Sequence, residues 1–206
     1  MATRISNIYM SFYEIDGVQP VVDPSSFVHP TASVIGHVVI GKNCYIGPHA
    51  SLRGDFGKIV LEDGVNFQDS CIAHCFPGGE TRVRENGHIS HGAVLHGCDI
   101  GENSMVGIQT VVMDNAKIGK ECMIAALSYI KPNFEAPPRS IIAGSPAEIK
   151  KDVTDKQMGW KTEGTAIYQH LAQRCLETMR QCEALESEHD QCKDAQLNIK
   201  DFKPLK

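Results

Sequence analysis

The chain has 206 residues, 42% of them hydrophobic and 6% aromatic, and carries a formal net charge of −5. That length accommodates one domain with a terminal appendage. The acidic balance and the lack of a basic stripe argue against a nucleic-acid partner. No apolar run approaches the roughly 20 residues that cross a bilayer, so no membrane partner is expected. Eight Cys occur without a CxxC pair, a usage that fits reduced core thiols in a cytoplasmic protein.

Residues 1–24 read as an N-terminal extension and lead-in segment, kept extended by Pro20 and Pro24. From Val28 to Ile130 an aliphatic residue returns every six positions, often followed by Gly, with a small residue four places on. Examples are Ile40-Gly41-Lys42-Asn43-Cys44, Ile100-Gly101-Glu102-Asn103-Ser104 and Ile118-Gly119-Lys120-Glu121-Cys122. A hexapeptide period marks a parallel β-helix, in which six residues make one short strand and one corner. Three such units make a triangular coil, and inward aliphatics stack about 4.8 Å apart on successive coils. The expected fold is all-β: a β-helix over residues 25–150, with α-helices over 151–190 and a polar tail over 191–206. Val153 to Thr162 suggests a short helix with Thr154 as N-cap, and Thr165 to Ser187 a longer one. In the longer one Tyr168, Leu171, Cys175, Cys182 and Leu185 share a face. It is expected to lie along the solenoid or across to a neighbouring subunit.

The period breaks between Leu52 and Leu61, between Ala73 and Val83, and by one deleted residue between Leu95 and Ile100. Breaks in a repeat are where binding loops tend to sit. The register stacks Leu52, Ala73 and Leu95 on one face. Arg53, His74 and His96 follow them directly and form an outward column. Asp69 and His91 each lie two residues beyond Phe67 and Ile89, on a different face, with Gln68 and Ser90 beside them. Two imidazoles thus leave one face and a third leaves another. They can meet when one face of a prism abuts a different face of its neighbour, as in a trimer. Three imidazoles with a fourth position open form the ligand set of a catalytic zinc site. The other reading of these residues is a polar seam between subunits. The remaining His, including His88, are read as ordinary surface residues.

Arg53-x-Asp55, Asn66-x-Gln68-Asp69, His74 and His91-x4-His96 resemble the γ-class carbonic anhydrases, over roughly residues 20–150. The segment Gly87-His88-Ile89-Ser90-His91-Gly92-Ala93-Val94-Leu95-His96-Gly97-Cys98 and the stretch from Trp160-Lys161 to Tyr168-Gln169 resemble the branch encoded with carnitine and phenylacetate catabolism. The resemblance implies a left-handed β-helix, a homotrimer and Zn2+ at its interfaces, held by His74, His91 and His96. It implies an intersubunit Arg53–Asp55 ion pair, a Gln68 that hydrogen-bonds the metal's water, and an Asp69 that orients a ligand. Tyr168 would line the pocket. Fe2+ or Co2+ are also acceptable to imidazole ligands.

The chain departs from that family in two places. Phe56 follows Asp55 where a Glu is usual, and the acidic loop with its proton-shuttle Glu shrinks to Cys75-Phe76-Pro77-Gly78-Gly79-Glu80. The expected function is a zinc lyase that interconverts CO2 and bicarbonate. The alternatives are a thioesterase or accessory protein acting on acyl-CoA thioesters in carnitine or phenylacetate catabolism, a hexapeptide acyltransferase, and a non-catalytic assembly module.

Overall fold

A computed structural model describes residues 11–187. Those residues form a left-handed parallel solenoid of about seven coils, followed by one C-terminal helix. Its three faces carry unbroken ladders of inward residues. On the first, Val34, Leu52, Ala73, Leu95, Val112 and Ile130 are register partners in turn. The second stacks Ile40, Leu61, Val83, Ile100, Ile118 and Ala136. The third stacks Val28, Ile46, Phe67, Ile89, Val106, Ile124 and Ile142. Most of these side chains are fully buried, and burying each contributes about 1.5–3 kcal/mol.

The corners explain the rest of the hexapeptide. Three residues after most inward aliphatics the backbone turns left-handed, at Asn43, Asn86, Asn103, Asn115 and Asn133 among others. Asn tolerates that conformation better than most residues. One position later the small residue closes the corner: Cys44, Cys71, Ala93 and Cys122 are fully buried there. Polar residues at that position are satisfied, as when Ser104 Oγ donates to Gly119 O at 2.8 Å and accepts from Cys122 N–H at 2.9 Å. Gly101 follows its aliphatic where two coils touch backbone to backbone. A Cβ there would lie 2.4 Å from the Gly119 carbonyl. Gly101→Ala is therefore expected to destabilise the solenoid by about 1–3 kcal/mol, read as a lower denaturant midpoint.

Two boundaries differ from the sequence expectation. Strands Phe12–Tyr13 and Val21–Val22 pair with Ser33–Ile40, so the solenoid takes in part of the residues assigned to the lead-in. A single helix, Asp155–Thr178, stands where two were expected. Thr154 does cap it: its Oγ1 accepts from Gln157 N–H while Gln157 Oε1 accepts from Thr154 N–H. Cys182 and Leu185 lie beyond its end and are exposed. The expected tail over 191–206 and the extension over residues 1–10 lie outside the described residues.

Helix α1 (Asp155–Thr178) runs along the third face. Its start packs on Met105 and Met123 through Met158 and Trp160, and its end on Phe27 and Tyr45 through Tyr168, Leu171 and Ala172. Twenty-four residues span about 36 Å, close to the roughly 33 Å height of seven coils. That match explains why the helix continues through Gly164. One edge of the helix binds the left-handed corners. Gln173 Nε2 donates to Asn43 Oδ1 at 2.7 Å, Gln169 Nε2 to Asn86 Oδ1 at 2.9 Å, and Lys161 Nζ to Asn103 Oδ1 at 2.7 Å.

Lys161 is 1% exposed, and its two acceptors, Asn86 O and Asn103 Oδ1, are both neutral. Burial pushes its ammonium down to about 7. The unfolded chain, with an ordinary lysine, binds more protons between about pH 7 and 10.4. Stability from this group therefore rises with pH across that window, and is lost as pH falls toward 7. Buried thiols act in the opposite sense above about pH 8.5, because burial raises Cys44 to about 11 and Cys71 to about 12. The informative quantity is thus the difference between wild type and Lys161→Met. From pH 7 to pH 9 the wild type is expected to gain roughly 1–3 kcal/mol on the variant in urea unfolding.

Candidate metal centre

The first two breaks in the repeat stack on each other. Strand Ser51–Leu61 runs from the first face to the second without interruption, so the expected first loop is instead an outward excursion of extended chain. The turn over residues 75–79 lies on it. Gly78 N–H donates to Phe56 O at 3.1 Å, and Lys58 N–H donates to Gly79 O at 3.0 Å. The deleted residue gives a tight third corner, where Thr81 Oγ1 donates to His74 O and accepts from Gly97 N–H. This protrusion carries Arg53, Asp55, His74 and His96.

His74 and His96 are register partners on adjacent coils of the first face. Their ring centroids are 5.3 Å apart. Each is held by a carboxylate. His74 Nε2 meets Asp55 Oδ1 at 2.9 Å, and His96 Nδ1 meets Asp114 Oδ1 at 2.7 Å. His91 stands beyond the third face, with its Nδ1 2.7 Å from Asp69 Oδ2. A carboxylate that accepts one ring N–H fixes the neutral tautomer and turns the other nitrogen's lone pair outward. The open nitrogens are therefore Nδ1 of His74 and Nε2 of His91 and His96. This is the donor chemistry that Zn2+ takes from three imidazoles. Among the described residues of one chain, no group of three or more His, Cys, Asp and Glu could hold a metal ion. A three-His site accordingly needs a second chain, as the facing argument requires.

The surrounding residues have distinct jobs. Arg53 donates to Asp55 Oδ2 at 2.7 Å, so the ion pair expected between subunits closes within one chain. Burial opposes ionisation of Asp55, but the His74 hydrogen bond and the Arg53 charge outweigh it and lower the carboxyl below its ordinary range. Gln68 is 2% exposed. Its Oε1 accepts from His91 N–H at 3.2 Å, and its Nε2 donates to Asn66 Oδ1 and His88 Nε2, both at 2.9 Å. Its amide is thus engaged within the chain and positions the backbone of His91. Tyr168 lies tilted against Tyr45 and edge-on against His88, with centroids 5.4 and 5.5 Å apart. Glu80 accepts from Arg82 Nε at 2.8 Å. Exposed rings flank the imidazole pair: Phe56 lies 5.3 Å from His74 and Phe76 lies 4.8 Å from His96.

Comparison with known proteins defines the chain's relatives. The family described as bacterial transferase hexapeptide (six repeats) matches residues 20–54 and 97–132. The carnitine operon protein CaiE of Salmonella agona (strain SL483) is 50% identical over 166 residues, covering 81% of this chain and 84% of the relative. This chain belongs to the CaiE family. CaiE of Escherichia coli (strain K12) is 46% identical over 176 residues, with 85% and 90% covered. Among solved structures, a hexapeptide transferase family protein from Anaplasma phagocytophilum is 32% identical, with a TM-score of 0.76 over 79% of this chain and 96% of that one. A Bacillus cereus protein described as a putative acetyltransferase is 24% identical, with a TM-score of 0.78 over 79% and 95%. That likeness shows the fold alone.

The two matched stretches leave out residues 55–96, which hold Asp55, Gln68, Asp69, His74, His91 and His96, although the coils continue through them. Two participants escaped the sequence reading. Asp114 lies eighteen residues after His96, but the deleted residue shortens this coil to seventeen, from Leu95 to Val112, so the register sets Met113 beside His96 and does not point to Asp114. His88 was read as ordinary but is half-buried against Tyr168, and desolvation lowers it to about 3; nothing in its local sequence marks that. Asp114→Ala removes the acceptor of His96 Nδ1–H and is expected to weaken zinc affinity about 10–100-fold, measured by competition with a chromogenic chelator.

Proposed function

We propose that this chain is a γ-carbonic-anhydrase-like zinc enzyme that works as a cytoplasmic homotrimer on CO2 and bicarbonate. In this reading His74 and His96 of one chain and His91 of a neighbour hold Zn2+, with Fe2+ or Co2+ as possible substitutes. The observation that carries it is the set of three imidazoles on two faces, each oriented by its own carboxylate. Bound zinc acts as a Lewis acid and makes water a strong nucleophile near neutral pH. The protein's own contributions are positional. Asp55, Asp69 and Asp114 hold the imidazole tautomers. Gln68 fixes the backbone of His91. Arg53 anchors Asp55, and its half-exposed guanidinium offers N–H donors to a bicarbonate oxygen. Tyr168 supports His88 behind Gln68.

A second reading, action on acyl-CoA thioesters or support of their metabolism, draws on two observations. The CaiE relatives are named for the carnitine operon. The groups beside His74 and His96 are Phe56 and Phe76, and Glu80 is tied to Arg82. Fast CO2 hydration needs a positioned acid or base to carry the proton away. Stopped-flow CO2 hydration and thioester hydrolysis, measured on one preparation of known zinc content, separate the two readings. CO2 hydration proportional to bound zinc is expected. Activity of an acyltransferase type that survives complete zinc removal would overturn the proposal.

A further inference from the structure

Outward side chains sort the three faces of the solenoid. The third face is covered by α1. The second carries alternating charges on successive coils, Arg82, Asp99, Lys117 and Glu135, which are register partners in turn. Such a face is best satisfied by water. The first face differs. Its outward column is Ile72, Val94, Val111 and Tyr129, again register partners. Ile72 and Tyr129 are exposed and the two valines are half-buried. This apolar ladder runs directly beside His74 and His96, and a contiguous apolar patch marks a contact surface.

The edge that carries His91 has apolar members of its own. Ile108 stands one coil beyond His91, and Leu127 one coil beyond Gln109. Both are exposed, Leu127 at 69%. Leu127 also has a left-handed backbone, with φ 59°, which costs a Leu more than an Asn. Among the described residues it is the one hydrophobic side chain in that conformation. Exposure and strain at one Leu are offset when a partner buries it.

Chain order fixes how edge and face match. The chain passes His91 between His74 and His96, Ile108 between Val94 and Val111, and Leu127 between Val111 and Tyr129. Each edge residue therefore lies at a height between its two face residues. A rotation about an axis parallel to the solenoid, with no sliding, sets all three opposite their counterparts on the next copy. Closed rotational symmetry is of that kind.

We propose that Ile108 and Leu127 of one chain pack onto the Val94–Val111–Tyr129 ladder of the next, and that this apolar seam, not the metal, holds the copies together. The choice of facing edge rests on the zinc reading above; the seam's role in assembly does not. Zinc then enters a site that assembly has already built.

Sedimentation velocity on the full-length protein, zinc-loaded and after stripping by a chelator, makes the test. Wild type is expected to run as a trimer in both states. Leu127→Asp puts a carboxylate into the seam and is expected to raise the concentration needed for assembly by about thirtyfold or more, the effect of losing one interface anchor. Its fold should persist, because the site is exposed and Asp16 holds the same backbone conformation; circular dichroism verifies this. At concentrations where it is monomeric the variant should also lose zinc, although His74, His91 and His96 are all in place. Adding Tyr129→Lys to the same chain is expected to restore assembly, because the new ammonium faces the new carboxylate across the seam. A double variant no better assembled than Leu127→Asp would overturn that pairing. Stripped wild type that falls to monomers, or Leu127→Asp that assembles as wild type does, would overturn the seam and leave the zinc reading standing. Wild type that assembles through Leu127 yet takes up no zinc would leave the seam standing and remove the zinc reading.

Discussion

His91→Ala is expected to yield a folded solenoid that no longer retains zinc. The effect should exceed the 10–100-fold that loss of an outer partner costs, because an imidazole ligand itself disappears. The fold should survive, since His91 is half exposed and lies in a corner turn, outside the inward ladder. Its neighbour Ile89 carries the core contact at this level and is fully buried. Zinc content after exhaustive dialysis, measured by elemental analysis beside a circular dichroism spectrum, makes the test. Retention of full metal occupancy by the folded variant would falsify the ligand assignment. Light scattering on the same sample adds a second check, because a ligand shared between chains ties metal to assembly. Mixing His91→Ala chains with His96→Ala chains should restore a fraction of the zinc, since some interfaces then combine an intact His91 with an intact His74–His96 pair.

The second large effect concerns stability. Phe67→Ala is expected to cost about 3–5 kcal/mol and to lower the thermal midpoint by roughly 6–20 °C. Phe67 is the largest fully buried side chain of the solenoid and sits between Ile46 and Ile89 in the third-face ladder. Its loss leaves a cavity that the stacked coils cannot collapse around, because strand spacing fixes their separation. Gln68 and Asp69 follow it directly, so the change also loosens the groups that hold His91. Thermal unfolding followed at a β-sheet wavelength checks the size, and a midpoint shift under about 2 °C would contradict the packing argument.

Much of this molecule is legible in its residues because a solenoid converts sequence distance into spatial distance. Once Leu52, Ala73 and Leu95 are placed one coil apart, His74 and His96 must be neighbours, and the structure pairs them. The same arithmetic separates His91 onto another face. The Thr154 cap is readable for a local reason, since a hydroxyl and a Gln three residues on satisfy each other's backbone. The excursion at Asp55 is different. A break in period says that residues leave the coil, but only stacking on the turn at Gly78 and Gly79 shows that they stay extended.

The chain's sequence alone determined the coil, its register, the faces from which each imidazole leaves and the cap of α1, because backbone hydrogen bonding between identical hexapeptide units admits one phase. The tertiary structure decided which carboxylate holds which ring and that α1 runs unbroken through Gly164. Those features depend on contacts between segments as far as 148 residues apart, such as Gln173 with Ser25. No local propensity encodes such contacts, and packing against the third face overrides the helix-weakening glycine.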